Sequence, residues 1–366
     1  MTAGSDTDSS NWLRISFHSK PVSTVTCDVP GFVVSAAKDG TIEVYDRTLT
    51  TTRKKITTSK SAIFDVKYSK RTKKLIVCHG SGEVAFIDTE RFDVEHVFDT
   101  ERCVSSITWS SDALSFATTS LMRSEGVVIY RKEEGSTWDS DCLKMKKFKF
   151  DKLCTAIKWI SKCCIVLGFS DGTLCTINPE DSTATDFFEV HKRQQVTEIL
   201  QIGTDLVLTG SKDGTATLTN VATRKVLSRY TSQSGVNSVA VLDDLVFLAG
   251  GQSAENVATS KASSGSFDIF IYDRKSATQI GKIESLQLSP INSIDLFKTS
   301  TGEIGLVYGC EFGYSQLTMD VPSRTDMINS KLEEYQKKID NLPVGPKSKR
   351  SRKKYRRAIE ALGKLK

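Results

Sequence analysis

Long apolar runs are missing from this chain. None approaches the ~20 residues that a membrane-spanning helix needs. The opening residues, MTAGSDTDSSNW, are polar and acidic, with no apolar signal-peptide stretch and no Arg-rich transit pattern. A cytosolic or nuclear protein is the default, and a cytoplasmic one is expected. Nine cysteines are present, but no C-x-x-C pair, and Cys163 and Cys164 are adjacent. That pattern argues against a zinc site or a disulfide framework and for buried, reduced thiols. There is no P-loop, no G-x-S-x-G and no carboxylate pair in a recognisable catalytic context. No catalytic residue, metal ligand or cofactor is assigned, and the chain is expected not to be an enzyme.

What is present is a repeated phrase. SAAKDGTIEVYD (35–46) and LTGSKDGTATLTN (208–220) both run small and apolar residues into Lys-Asp-Gly-Thr, then alternate. Asp-Gly between two alternating runs predicts a tight hairpin, with a type I′ turn as the expected geometry. Weaker copies are VCHGSGEVAFID, TTSLMRSEGVVIYR, VLGFSDGTLCTIN, SSGSFDIFIYD and VYGCEFGYSQLTMD. The seven copies close at 46, 88, 131, 178, 220, 273 and 320. Successive closings lie 42, 43, 47, 42, 53 and 47 residues apart. That spacing is close to the ~40–45 residues of a WD-type propeller blade. Upstream of each phrase lies another strand-like run, from VSTVTCD (22–28) to INSIDLF (291–297). A further run follows each closing position, such as RKKITTS (53–59) or RKVLSRY (224–230).

Four strands in each of seven units predict an all-β, seven-bladed WD40-type β-propeller. No blade can bury both faces alone, so the blades must stack in a ring. WLRISFH (12–18) has no blade of its own. It is expected to close the ring as the outer strand of the last blade, removing an open sheet edge. The expected divisions are a flexible N-terminus at 1–11, the propeller at 12–322, a helix at 323–342 and a basic tail at 343–366.

The net charge of +6 is unevenly spread. Residues 347–366 hold ten Lys or Arg and one acid, Glu360, which leaves the rest of the chain at −3. A near-neutral body with a strongly basic end suggests a ring that binds protein and a tail that meets an anionic partner. Ser323 or Thr325 can cap the predicted helix, and Asp326 suits its first turn. Beyond Pro343 and Pro346, Ile359, Leu362 and Leu365 recur at near-helical spacing, so the tail is either helical or a solvated charge run. Lys347, Lys349, Arg350, Arg352, Lys353, Lys354, Arg356 and Arg357 are the candidate RNA-phosphate contacts. Tyr355 among them permits stacking on a base.

His18 lies 21 residues before Asp39, and His191 lies 22 before Asp213. Their placement resembles the structural His–Ser–Asp network of WD-repeat proteins. Ser211 is the expected hydroxyl in the fifth blade, while the first blade has Ala37 there. These pairs are expected to stabilise blades rather than to catalyse.

Residues 236–273 narrow the resemblance. Ala249, Gly250, Gly251 and Gln252, the insert with Thr259 and Ser260, and the re-entry at Gly265 and Phe267 resemble the sixth blade of the i subunit of eukaryotic translation initiation factor three. SPINSIDLF (289–297), the fifth-blade hairpin and LRISFHSKPVSTVTC resemble other parts of that family, so the likeness covers about residues 12–320. Ala249 replaces a family Gly, and the third and seventh blades are barely recognisable. The family tends to end soon after the last blade, so the resemblance implies a divergent member with a basic extension. The resemblance implies a non-catalytic scaffold that binds the factor's b and g subunits on the small ribosomal subunit and helps mRNA recruitment and scanning. It implies a b-subunit helix near blades five and six, with Asp213 and Gln252 as polar contacts. Ribosomal RNA is the expected partner of the tail. Other classes are a receptor-associated WD signalling scaffold and a nucleolar ribosome-assembly factor.

Overall fold

The computed structural model describes residues 12–47, 52–138, 144–251, 267–285, 289–343 and 348–365. Among them, seven antiparallel four-stranded sheets account for 28 strands. The first blade joins β2 (Val22–Thr26), β3 (Phe32–Ala37), β4 (Thr41–Asp46) and β5 (Thr52–Thr57) in sequence order. Five more blades repeat that order from β6 (Ile63–Ser69) to β25 (Gln279–Ile283). The seventh joins β26 (Ile291–Lys298), β27 (Ile304–Cys310) and β28 (Tyr314–Thr318) to β1 (Trp12–Phe17), from the other end of the chain. Leu13 pairs with Leu317 and Phe17 with Tyr314, with a bulge between Arg14 and Ser16. The ring closes as the leftover N-terminal run predicts.

The second and third strands of each blade are almost wholly buried, because both faces pack on neighbouring blades. β7 (Lys74–His79) and β8 (Glu83–Asp88) bury every residue except their first and, in β8, last. This is why the phrases read as apolar and small rather than strictly alternating. Outer strands face solvent on one side, and β21 (Lys225–Thr231) buries only Tyr230. The third blade, which hardly carries the phrase, is built on aromatics instead. Trp109, Phe116, Tyr130 and Trp138 pack with Phe86 of the second blade. Ring stacking there replaces the small-residue packing that makes the other blades legible.

The hairpin turns differ from the expected type I′ geometry. At 37–40 only Gly40 has positive φ, at +80°, and its N–H donates to the Ala37 carbonyl at 3.1 Å. Asp39 keeps negative φ because its carboxylate accepts from the Thr41 N–H and hydroxyl. This is the longer loop in which a single glycine is left-handed. The glycine also permits close approach. A Cβ on Gly40 would stand 2.4 Å from the Ser59 carbonyl of the next inter-blade turn, and one on Gly172 would stand 2.5 Å from His191 O.

Past the ring, α1 (Arg324–Asp340) and α2 (Lys349–Gly363) form a helical hairpin. Ser323 caps α1 by accepting the Asp326 N–H at 3.1 Å and donating to its carboxylate at 2.6 Å. Met327 and Ile328 of α1 and Leu362 of α2 join one core with Phe247, Ile271, Ile294 and Tyr308 of blades six and seven. The segment beyond 343, left open between helix and solvated charge run, is therefore helical over Lys349–Gly363 and docked on the ring.

Candidate functional site

Two places gather the functional candidates: the turns between blades, and the outer face of α2. The histidines lie in the turns. His191 sits just past β17 (Phe188–Glu189), the outer strand of blade four. Its ring reaches into blade five. Nε2 meets Thr209 Oγ at 2.8 Å, Nδ1 meets Thr215 Oγ at 3.0 Å, and Asp213 lies 3.4 Å from Nδ1. His18 repeats this between blades seven and one, with Ser35 at 2.9 Å, Thr41 at 3.0 Å and Asp39 at 3.5 Å.

The hydroxyl is thus not where the sequence pattern put it. Ser211 instead donates to the Gln194 carbonyl at 3.2 Å and accepts the Asp213 N–H. Thr209 and Ser35, two residues upstream, take the histidine contact, and the first blade is not deficient. Side chains alternate along a strand, so a residue two positions earlier stays on the same face but one pleat closer to the ring nitrogen. Blade two exchanges the two roles. Thr58 occupies the inter-blade turn and His79 the hairpin, 2.9 Å apart. At the next two junctions Arg102 approaches Glu125 at 3.5 Å and Lys152 approaches Asp171 at 2.6 Å.

Burial dominates the titration of these groups. It depresses His191 to about 4 despite the Asp213 carboxylate, and it lowers His18 likewise. Burial works to raise Asp213, but hydrogen bonds from the Lys192 N–H and Thr215, together with His191, hold it below the usual carboxylate range. The Asp213 side chain is 3% exposed, and both oxygens are engaged within the turn. The docking contact expected of Asp213 conflicts with this geometry. Its proposed fellow contact, Gln252, lies outside the described residues, as do Thr259, Ser260, Gly265 and Lys347.

The central channel has its own charges, also directed at structure. Asp65 accepts Ser106 Oγ at 2.9 Å and the Ile107 N–H at 3.2 Å, both from the next blade. Glu198 does the same for Ser238 and Val239, and Asp295 for the Cys27 N–H at 2.6 Å across the ring closure. Burial, then the nearby Asp28, raises Asp295 to about 7. Beside these carboxylates runs a set of side-chain to carbonyl bonds: Thr155 to Val196, Thr197 to Val236, Asn237 to Ile291 and Asn292 to Val22. The sequence pattern missed this set. Its one signal is a Thr or Asn at the second position of each of those inner strands. Among the described residues, no group of three His, Cys, Asp or Glu is placed to hold a metal ion.

On the hairpin, the side chains of α2 divide cleanly. Ser348 and Leu362 are buried, and Tyr355, Ala358, Ile359 and Leu365 are half-buried. Lys349, Arg350, Lys353, Lys354, Arg356, Arg357 and Lys364 are exposed, with Glu360 the one acid among them. Arg352 does not join that face. Its Nη2 donates to the Leu342 carbonyl at 2.8 Å. Tyr355 also turns inward, its ring 5.7 Å from that of Tyr335 on α1. The anchor of the hairpin had no sequence signal. Arg324 donates through Nε and Nη2 to Asp273 of blade six at 2.9 and 2.6 Å, and through Nη1 to Leu365 O at 2.9 Å. Asp273 is fully buried.

This architecture defines a seven-bladed WD-type β-propeller with a docked helical hairpin. Its fold matches the β-propeller domain of Cps50 (Swd1) from Myceliophteria thermophila, with a TM-score of 0.68 at 12% identity, covering 85% of this chain and 100% of that one. No protein-family model matches the chain. Curated homologues are named eukaryotic translation initiation factor 3 subunit I. That of Candida glabrata is 33% identical over 174 residues, 44% of this chain and 49% of its own. Those of Eremothecium gossypii and Botryotinia fuckeliana are each 30% identical, over 186 and 169 residues, covering 48% and 43% of this chain and 51% and 50% of theirs. The chain spans about half the length of the curated relatives it matches.

Proposed function

We propose that the chain is a non-catalytic scaffold in translation initiation, of the subunit I type. The observation that carries this is the likeness to subunit I proteins of several fungi. The ring geometry supports it. The histidine–aspartate pairs of the turns and the carboxylates Asp65, Glu198 and Asp295 of the channel are engaged within the ring, which suits a rigid scaffold. The proposed partners are the factor's b and g subunits and the small ribosomal subunit, in the cytoplasm. With Asp213 engaged in its own turn, the turn leading from blade four into blade five offers exposed Lys192, Arg193, Gln194 and Gln195 instead. The basic tail is assigned to ribosomal RNA, as the charge asymmetry suggests. The test is a native pull-down of the intact protein with mass spectrometry. Recovery of initiation-factor subunits b and g supports the proposal. Recovery of receptor complexes or nucleolar assembly factors without them overturns it.

A further inference from the structure

The exposed face of α2 differs from an ordinary solvated charge run in three respects. First, it is ordered: Leu362 is 1% exposed in the core shared with blades six and seven, and Arg324 ties the end of the helix to Asp273. Second, the six exposed cations of α2 and Lys364 at its C-cap, seven in all, have no ion-pair partner among the described residues, whereas Glu334 of α1 engages both Lys331 and Lys338. Charges on a docked helix are held at fixed spacing, about 1.5 Å of rise per residue over 15 residues. Third, the face carries no aromatic and no large apolar side chain. Tyr355 is turned onto Tyr335, and no residue of α2 is among the exposed large hydrophobics.

These features select among anionic partners. Single-stranded RNA is usually held by stacking bases on aromatic rings, and this face offers none. A membrane-surface helix needs apolar side chains directed into the lipid, and this face has none. A rigid row of cations without stacking groups suits a regular array of phosphates. We infer that the α2 face binds the phosphate backbone of double-helical RNA, without reading sequence. This rests on the assignment of the tail to RNA above and names the RNA form it takes. Arg352 belongs to the hairpin interior and is not part of the contact.

The test uses the full-length protein with three probes: a 20-bp RNA duplex, one of its strands alone, and phosphatidylserine vesicles. Affinity is measured across a salt series. The duplex should bind at least about tenfold more tightly than the single strand at 0.15 M salt. If five of the seven cations meet phosphates, the slope of log K against log[salt] is about −4.5. Changing Lys353, Arg356 and Arg357 together to Gln should flatten it to roughly −2 with the melting temperature unchanged. Tyr355→Leu should leave duplex affinity within about twofold. Preference for the single strand, or a loss of RNA affinity in Tyr355→Leu at unchanged melting temperature, overturns the duplex assignment but keeps the tail as an RNA contact. Binding to vesicles with no binding to either RNA overturns both.

Discussion

The ring and the helical hairpin use charge in opposite ways. In the ring, the buried carboxylates accept backbone N–H groups from their own turns or from the next blade, as Asp39, Asp65, Glu198 and Asp295 do. Such groups are structural, because burial without a partner would cost about 1–3 kcal/mol or more each. In the hairpin, the basic side chains of α2 other than Arg352 face outward, and one interior ion pair, Arg324 with Asp273, fixes the helices in place. Sequence charge therefore reports function only where folding has left it unengaged. A histidine–aspartate pair in a propeller turn is part of the frame, while a row of unpaired arginines on a docked helix is available to a partner.

The comparison can be broken most forcefully at the ring closure. Deleting residues 1–17 removes β1, leaves the edge of β28 open and takes Ile15 out of the core. The expected cost is about 5 kcal/mol, a fall in Tm of roughly 10 °C. A truncated chain that melts with the intact one would show that β1 does not close the ring. The next largest effect is at the anchor. Arg324→Ala leaves the buried Asp273 without its cation, held only by the Ser276 N–H and hydroxyl, which should cost about 3 kcal/mol. Asp273→Asn in the same chain should recover part of that loss. A double-mutant cycle by chemical denaturation measures the coupling, and a coupling near zero would remove the pair as the anchor.

The turn network sharpens the comparison through pH. His191 has its folded pKa lowered to about 4 from an ordinary 6.5. The folded state therefore binds the proton less readily than the unfolded one. Its contribution is fully present above pH 6.5 and is lost as pH falls towards 4, by about 2–3 kcal/mol. Asp295, raised to about 7, acts in the other direction: stability falls as pH rises from about 4 to 7. His191→Asn should flatten the acid-side loss, and Asp295→Asn should flatten the opposing slope. Stability curves unchanged by both substitutions would mean that neither group differs between folded and unfolded states. The smallest effect is at the docking contact. A Cβ on Gly281 of β25 would lie 2.8 Å from Met327 Sδ. Gly281→Val should push α1 from blade six at a cost of about 1–3 kcal/mol. Limited proteolysis should then cut the hairpin faster while the ring stays protected, and unchanged cleavage would place the docking energy elsewhere.

Legibility followed locality. The hairpin phrases could be read because a tight turn constrains neighbouring residues, and Gly40 and Gly172 must be left-handed there. Ring closure could be read because WLRISF was an alternating run without a blade. The turn type could not, since the Asp39 carboxylate decides it through Thr41. The hydroxyl partners Ser35 and Thr209 were displaced by two residues, a distinction set by how far the histidine ring reaches between blades. Arg324 and Asp273 are 51 residues apart and belong to different elements, so no spacing marks them. On α2, the apolar spacing of Ile359, Leu362 and Leu365 was visible. The inward turn of Tyr355 and Arg352 was not, because it depends on α1 lying alongside.

The central claim is that an anionic partner meets the cationic face of α2 and not the ion-paired lysines of the ring. The most direct measurement compares two full-length variants with the wild type by co-sedimentation with small ribosomal subunits across a salt series. In one, Lys349, Arg350, Lys353, Lys354, Arg356 and Arg357 are changed to Gln. In the other, the paired surface lysines Lys54, Lys73, Lys74 and Lys298 of the ring are changed to Gln. The expected result is weaker binding and a flattened salt dependence for the first variant only. Equal flattening in both, or in neither, would contradict the claim.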